Sequence, residues 1–245
     1  MPAHTRPRPR PVPAMSTAAA FFDVDETLIG FKTMFRFLAF HLERRGAAPG
    51  TYERLTATLH RAAADGAPRS EVNRRYYQLY AGESAASLAA SGRAWFTHEL
   101  ADAPFIPAPT ARFDAHRRHG DLTVLVSGSF FACLDPIAEH LGADRAFGTR
   151  PVIRGGLLTG QVVTPLIGAA KGRTAHAVAA IHGLDLAHCS AYGDHSSDLD
   201  LLRSVGRPVV VGSDPVLTAH AQLAGWERLP DTRAAAEPRH QETRT

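Results

Sequence analysis

Two carboxylates stand one residue apart, Asp23 and Asp25, in the stretch FFDVDETLIG directly after an apolar run. Charge beside a core is costly unless it is paired, hydrogen-bonded or bound to a metal. Two acids at one strand end therefore point to function. Three further segments carry groups of similar promise. Ser127-Gly128-Ser129 follows the strand-like LTVLV, Lys171 lies at the start of a helical stretch, and Asp194 with Asp198 follows SAYG. Each has a bland explanation when taken alone. Strand-end acids and SGS triplets are common in turns, and an aspartate before SSD suits a helix cap. A lysine in the first turn of a helix opposes the helix dipole, which suits a residue that faces anions.

The elements that must position these groups fall into two textures. AAAFFDVD is a short apolar run of strand length. From about Met34 to Asp102, MFRFLAFHLERRG, TYERLTATLHRAAADG, RSEVNRRYYQLYAG and SAASLAASGRAWFTHELAD repeat apolar residues every three or four positions, as amphipathic helices do. Glycines and prolines punctuate them. PFIPAPT then reads as a boundary, and beyond it helix and strand patterns alternate. A hairpin is expected in PVIRGGLLTGQVV, turning at Gly155-Gly156. Strands alternating with helices imply an α/β fold, a doubly wound Rossmann-like parallel sheet, here with a small all-helical cap inserted after the first strand. The expected division is a catalytic core of residues 18–33 and 106–230, a cap of 34–105, a disordered extension of 1–17 and a disordered tail of 231–245. Ligands of such sheets bind at the carboxyl ends of the strands, where all four segments would meet.

Composition narrows the function classes. A chain of 245 residues with 44% hydrophobic content can build one sizeable core, or a core with a small second domain. Two cysteines, Cys133 and Cys189, form neither a disulfide framework nor a metal-ligand pattern, which fits a cytoplasmic protein. No apolar run approaches the roughly 18 residues of a membrane span. Arg6, Arg8 and Arg10 match the whole formal net charge of +3, so the excess sits on the proline-rich extension and a nucleic-acid partner is not expected. GAAKGRT has the wrong glycine spacing for a nucleotide-binding P-loop.

D-V-D-E-T, then S-G-S, then a lone lysine, then G-D-x-x-x-D, in that order, resembles the haloacid dehalogenase-like hydrolase superfamily. The helical insert resembles the lid of its phosphoserine-phosphatase-like branch (subfamily IB), and the likeness runs over roughly residues 18–230. The resemblance implies a Mg²⁺-dependent phosphomonoesterase acting on a small phosphorylated metabolite. Asp23 would attack phosphorus to form an aspartyl-phosphate, since carboxylates can serve as covalent nucleophiles. Asp25 would protonate the leaving alcohol and then activate water. Asp23, Asp194 and the backbone carbonyl of Asp25 would hold Mg²⁺, with Asp198 as a second-shell or additional ligand. Lys171 would balance charge on Asp23 and the phosphoryl oxygens. Ser127 and the backbone N–H of Gly128 would hold the phosphate, and Thr27 would steady Asp25 within the loop.

Substrate choice is expected in the cap, from Phe31, Lys32, Arg36, Arg74, Arg75, Tyr76 or Tyr77, with Arg36 and Arg75 the leading candidates. Aromatics at helical spacing are more often core, and arginines more often a solvated face. His195 reads first as an exposed loop histidine, with contact to the substrate or the metal site as the alternative. Two rival functions fit the same pattern: a phosphotransferase or phosphomutase on this scaffold, and a non-catalytic module that senses a phosphorylated metabolite.

Overall fold

Ala19–Phe22 forms β1, whose four side chains are all buried. Alternation along the strand sends Ala20 and Phe22 into one apolar cluster and Ala19 and Phe21 into another, so both faces of the sheet are covered. That double burial explains why the run carries no polar residue. The computed structural model describes residues 16–232. Apart from residues 16, 17, 231 and 232, the two expected disordered ends lie outside the described residues.

Four helices follow β1: α1 (Thr33–Arg44), α2 (Thr51–Ala64), α3 (Arg69–Gln78) and α4 (Ala85–Leu100). They form the helical segment inserted after the first strand. The chain then runs through α5 (Pro107–His119), β2 (Leu122–Val126), α6 (Phe131–Leu141), β3 (Arg145–Phe147), the hairpin β4 (Pro151–Arg154) and β5 (Leu157–Val162), and α7 (Ala169–His182). It ends with β6 (Ser190–Gly193), α8 (Leu199–Arg203), β7 (Arg207–Val211), α9 (Pro215–Ala224) and β8 (Glu227–Leu229). The main sheet has the order β3-β2-β1-β6-β7-β8, with every pairing parallel. Counting its strands along the chain gives 3-2-1-4-5-6, the doubly wound order. The direction of winding reverses between β1 and β6, so the loops after those two strands flank the crevice.

PFIPAPT lies at the junction between α4 and α5, and Pro107 begins α5, where its fixed φ and missing N–H are tolerated. β8 went unread in the sequence: it is a three-residue edge strand with largely exposed side chains and carries no apolar run. The expected hairpin does form, as a separate two-stranded antiparallel sheet.

The cap meets the core most tightly where α4 packs on α6. A Cβ built on Gly92 of α4 would stand 1.8 Å from the carbonyl oxygen of Ala132 in α6. Only glycine lets these backbones meet. Gly92→Ala is therefore expected to destabilise the protein by about 3 kcal/mol, the upper part of the usual range for overpacking. The urea midpoint measures this, and an unchanged midpoint would show that the contact is not needed.

Candidate active site

After β1 the chain stays in the sheet for one more bond, Asp23 N–H donating to the Tyr192 carbonyl at 3.0 Å. It then folds back on itself. Leu28 and Ile29 N–H both reach the Val24 carbonyl, and Glu26 takes a left-handed φ of 60°. A non-glycine residue there carries strain, which the bonds around it must hold in place. The fold-back brings Asp23, Asp25 and Thr27 to the carboxyl end of β1.

Asp194 and Asp198 arrive from the neighbouring strand β6. A Cβ on Gly193 would fall 2.6 Å from that of Asp198, so the glycine lets the turn after β6 swing Asp198 in beneath the strand end. Lys171, in the first turn of α7, completes the group. Its Nζ donates to Asp23 Oδ1 and to Asp198 Oδ1, both at 2.5 Å, and all three side chains are almost wholly buried. Thr27 Oγ1 donates to Asp194 Oδ1 at 2.9 Å and lies 3.5 Å from Asp23 Oδ2. One oxygen from each of Asp23, Asp194 and Asp198 lies within 4.8 Å of the others.

The electrostatics of this group are unbalanced. Burial opposes the charge on Lys171, but Asp198 and Asp23 outweigh it and hold the ammonium above its ordinary pKa. One ammonium does not serve three acids. Burial, then the Asp23 and Asp198 carboxylates, push Asp194 up to about 9. Burial and Asp23 push Asp25 up to about 6, although Thr33 N–H donates to its Oδ1 at 3.1 Å. Buried oxygens that resist ionising together are the donor set of a hard divalent cation, whose charge would restore the balance.

Opposite these acids lies the loop after β2. Ser127 Oγ accepts from Ser129 N–H at 3.0 Å, and Thr33 Oγ1 donates to Ser129 Oγ at 3.1 Å. The Gly128 carbonyl accepts from Asn73 Nδ2, Tyr77 OH and Thr149 Oγ1 at 2.9, 3.0 and 2.8 Å. Two of those donors belong to α3, so the cap itself fixes the backbone of the loop. Asn73 and Thr149 were missed in the sequence. Asn73 left a trace, as a polar residue on the same helical face as Tyr76 and Tyr77; Thr149, in a loop after an edge strand, left none.

Asp23, Asp25, Gly128, Lys171, Asp194 and Asp198 all line one cavity of about 400 Å³. Several other expectations do not survive in this geometry. Thr27 is fully buried beneath the carboxylates, bonded to Asp194 rather than steadying Asp25, and has no face toward the cavity. Arg36 is turned away, paired with Glu99 at 2.6 Å and lying over the Phe31 ring. Arg75 pairs with Glu71 one turn back on the exposed side of α3. Arg69 and Lys32 line the cavity instead. His195 is half-buried on the cavity wall, its Nδ1 accepting from Ser197 N–H at 3.0 Å.

The haloacid dehalogenase-like hydrolase family profile matches residues 20–203, from β1 to the end of α8. The chain belongs to that family. Its relatives and structural neighbours place it in the phosphoserine phosphatase-like branch, subfamily IB. The inhibition of morphological differentiation protein of Streptomyces azureus is 30% identical over 233 residues, covering 88% of this chain and 79% of the relative. Phosphoserine phosphatase SerB1 of Mycobacterium tuberculosis is 29% identical over 228 residues, covering 89% and 72%. A crystal structure of a protein with unknown function from Bordetella pertussis Tohama I superposes with a TM-score of 0.79 at 25% identity, over 89% of this chain and all of that one. A phospho-aspartyl intermediate analogue of phosphoserine phosphatase shares the fold, with a TM-score of 0.63 at 21% identity over 89% of this chain and 95% of the other. Among the described residues of this family member, no helix is long and apolar enough to cross a membrane.

The charge imbalance gives a testable consequence. Folded Asp194 holds its proton far more tightly than an unfolded aspartate, so its cost to stability is absent at pH values below about 4 and grows as pH rises toward 9. In metal-free protein, Asp194→Asn is expected to raise stability at pH 8 by about 1 kcal/mol or more. The gain should shrink toward pH 5. Denaturant unfolding at the two pH values measures it, and a loss of stability at pH 8 would contradict the imbalance.

Proposed function

We propose that this hydrolase is a phosphomonoesterase that cleaves a small phosphorylated metabolite through an aspartyl-phosphate on Asp23. The observation that carries the reading is Lys171 Nζ held 2.5 Å from both Asp23 and Asp198 at the sheet's switch point, with Asp194 alongside. Lys171 neutralises part of the acid cluster and leaves a fixed positive charge beside the carboxylate that must approach a phosphate dianion.

In this reading an Asp23 carboxylate oxygen attacks phosphorus, the phosphorus–oxygen bond of the ester breaks, and the alcohol oxygen takes a proton from Asp25. Asp25 then accepts a proton from the water that attacks the acyl phosphate, which releases phosphate and returns Asp23 to its carboxylate. A carboxyl raised to about 6 exchanges a proton near neutral pH more readily than an ordinary aspartate. Gly128, on the cavity wall, would receive a phosphoryl oxygen at its N–H, while Ser127, buried behind it, holds the loop by accepting from Ser129 N–H. Mg²⁺ held by Asp23 and Asp194, with Asp198 and the Asp25 carbonyl as further ligands, would supply charge stabilisation to the phosphoryl group. Relatives named as phosphatases, such as SerB1, support the same chemistry.

Two measurements test this. Asp23→Asn should lower phosphate release by at least about a thousandfold, the scale on which one essential catalytic group acts, while circular dichroism stays unchanged. Chelation should stop turnover and added Mg²⁺ should restore it. Activity in Asp23→Asn would remove Asp23 as nucleophile, and turnover in excess chelator would remove the metal. Release of inorganic phosphate with water as the sole acceptor would argue for hydrolysis over transfer to a second alcohol.

A further inference from the structure

We propose that the alcohol half of the substrate is an apolar, ring-sized group rather than an amino acid, an inference that rests on the phosphomonoesterase reading above. The cavity over the acid cluster is walled on the cap side by Met34, Phe35, Leu59, Ala63 and Val72. Phe35 and His60 stack there, ring centroids 5.5 Å apart and 15° from parallel, and both line the cavity. Together they offer an aromatic surface to a planar group. A volume of about 400 Å³ falls in the range that encloses drug-sized ligands.

The polar groups of the cavity argue against a free ammonium on the substrate. Four of its carboxylates, Asp23, Asp25, Asp194 and Asp198, belong to the reacting floor. The remaining one, Glu26, lies 3.6 Å from Lys32 Nζ at the half-exposed rim. The cap's other nearby acids are spoken for: Glu71 pairs with Arg75, and Glu99 accepts from Arg36 and from Trp95 Nε1. An amino acid's ammonium would be desolvated against Met34, Leu59 and Val72 with no unpaired acid to receive it, which is costly. An aryl or alkyl group gains from the same wall. The cations that line the wall are Arg69 and Lys32, the latter 3.6 Å from Glu26.

The test compares kcat/KM, by phosphate release with Mg²⁺, for 2-phenylethyl phosphate, ethyl phosphate and O-phosphoserine. All three leave as alkyl alcohols, so differences report binding of the group beyond the ester. Phenylethyl phosphate should exceed both others by about tenfold or more, the scale of a few methylenes in an apolar pocket. Val72→Asp and, separately, Ala63→Trp on the exposed part of the wall should each lower the ratio of phenylethyl to ethyl phosphate about tenfold. Ala63 is exposed, so the second variant keeps the test decisive if the first does not fold. Phosphoserine as the best ester, or an unchanged ratio in Ala63→Trp, would overturn the apolar reading and leave the phosphomonoesterase standing. No phosphate release from any of the three would remove both.

Discussion

Lys171 holds two aspartates that the chain contributes from places 175 residues apart in sequence, near its start and near its end. With Asp23 and Asp198 nearly without solvent, none of the three charges is stable there alone. Removing one partner from a buried pair strands the other, at a cost of roughly 3–5 kcal/mol. The rest of the architecture can be understood as meeting that constraint. β1 and β6 must be adjacent to bring their loops together, and α7 must start beside them to deliver the ammonium. Gly193 must lack a side chain for Asp198 to come in under the strand end. Even so, one lysine does not offset the acids around it, and burial with the Asp23 and Asp198 carboxylates raises the Asp194 pKa.

The second constraint runs through the cap. α3 donates from Asn73 and Tyr77 to the Gly128 carbonyl, and Thr33 at the start of α1 ties Asp25 to Ser129. The same helical segment that walls the cavity therefore also orients the loop after β2. Cavity wall and loop geometry share residues. A change in the packing of α3 is felt at Gly128 through two hydrogen bonds, and the approach of α4 to α6 at Gly92 fixes where the cap sits.

Much of this was legible in the sequence, for physical reasons. AAFF, LTVLV and SAYG read as strands because burial on both faces removes polar residues from them. The four cap helices announced themselves through three-and-four spacing. The order of the acid, serine, lysine and acid motifs let four segments be assigned to one crevice, and the structure gathers Asp23, Lys171, Asp194 and Asp198 there. What was not legible depends on partners. Periodicity gives the face a side chain occupies but not the group it meets, so Arg36 and Arg75 looked available until Glu99 and Glu71 claimed them. Thr27 was read as serving Asp25, because sequence proximity hides a partner 167 residues away. Arg69 and His195 were overlooked or misjudged for the same reason: exposure is set by what folds over a residue.

The most direct check is chemical capture of the intermediate. Protein turning over a phosphate ester is quenched and treated with borohydride, which reduces an acyl phosphate to the alcohol, and the peptide spanning residues 21–30 is sequenced by mass spectrometry. Homoserine at position 23, dependent on substrate, is the predicted result. Turnover with unmodified Asp23, or with reduction at another acid of the cluster, would contradict the central claim.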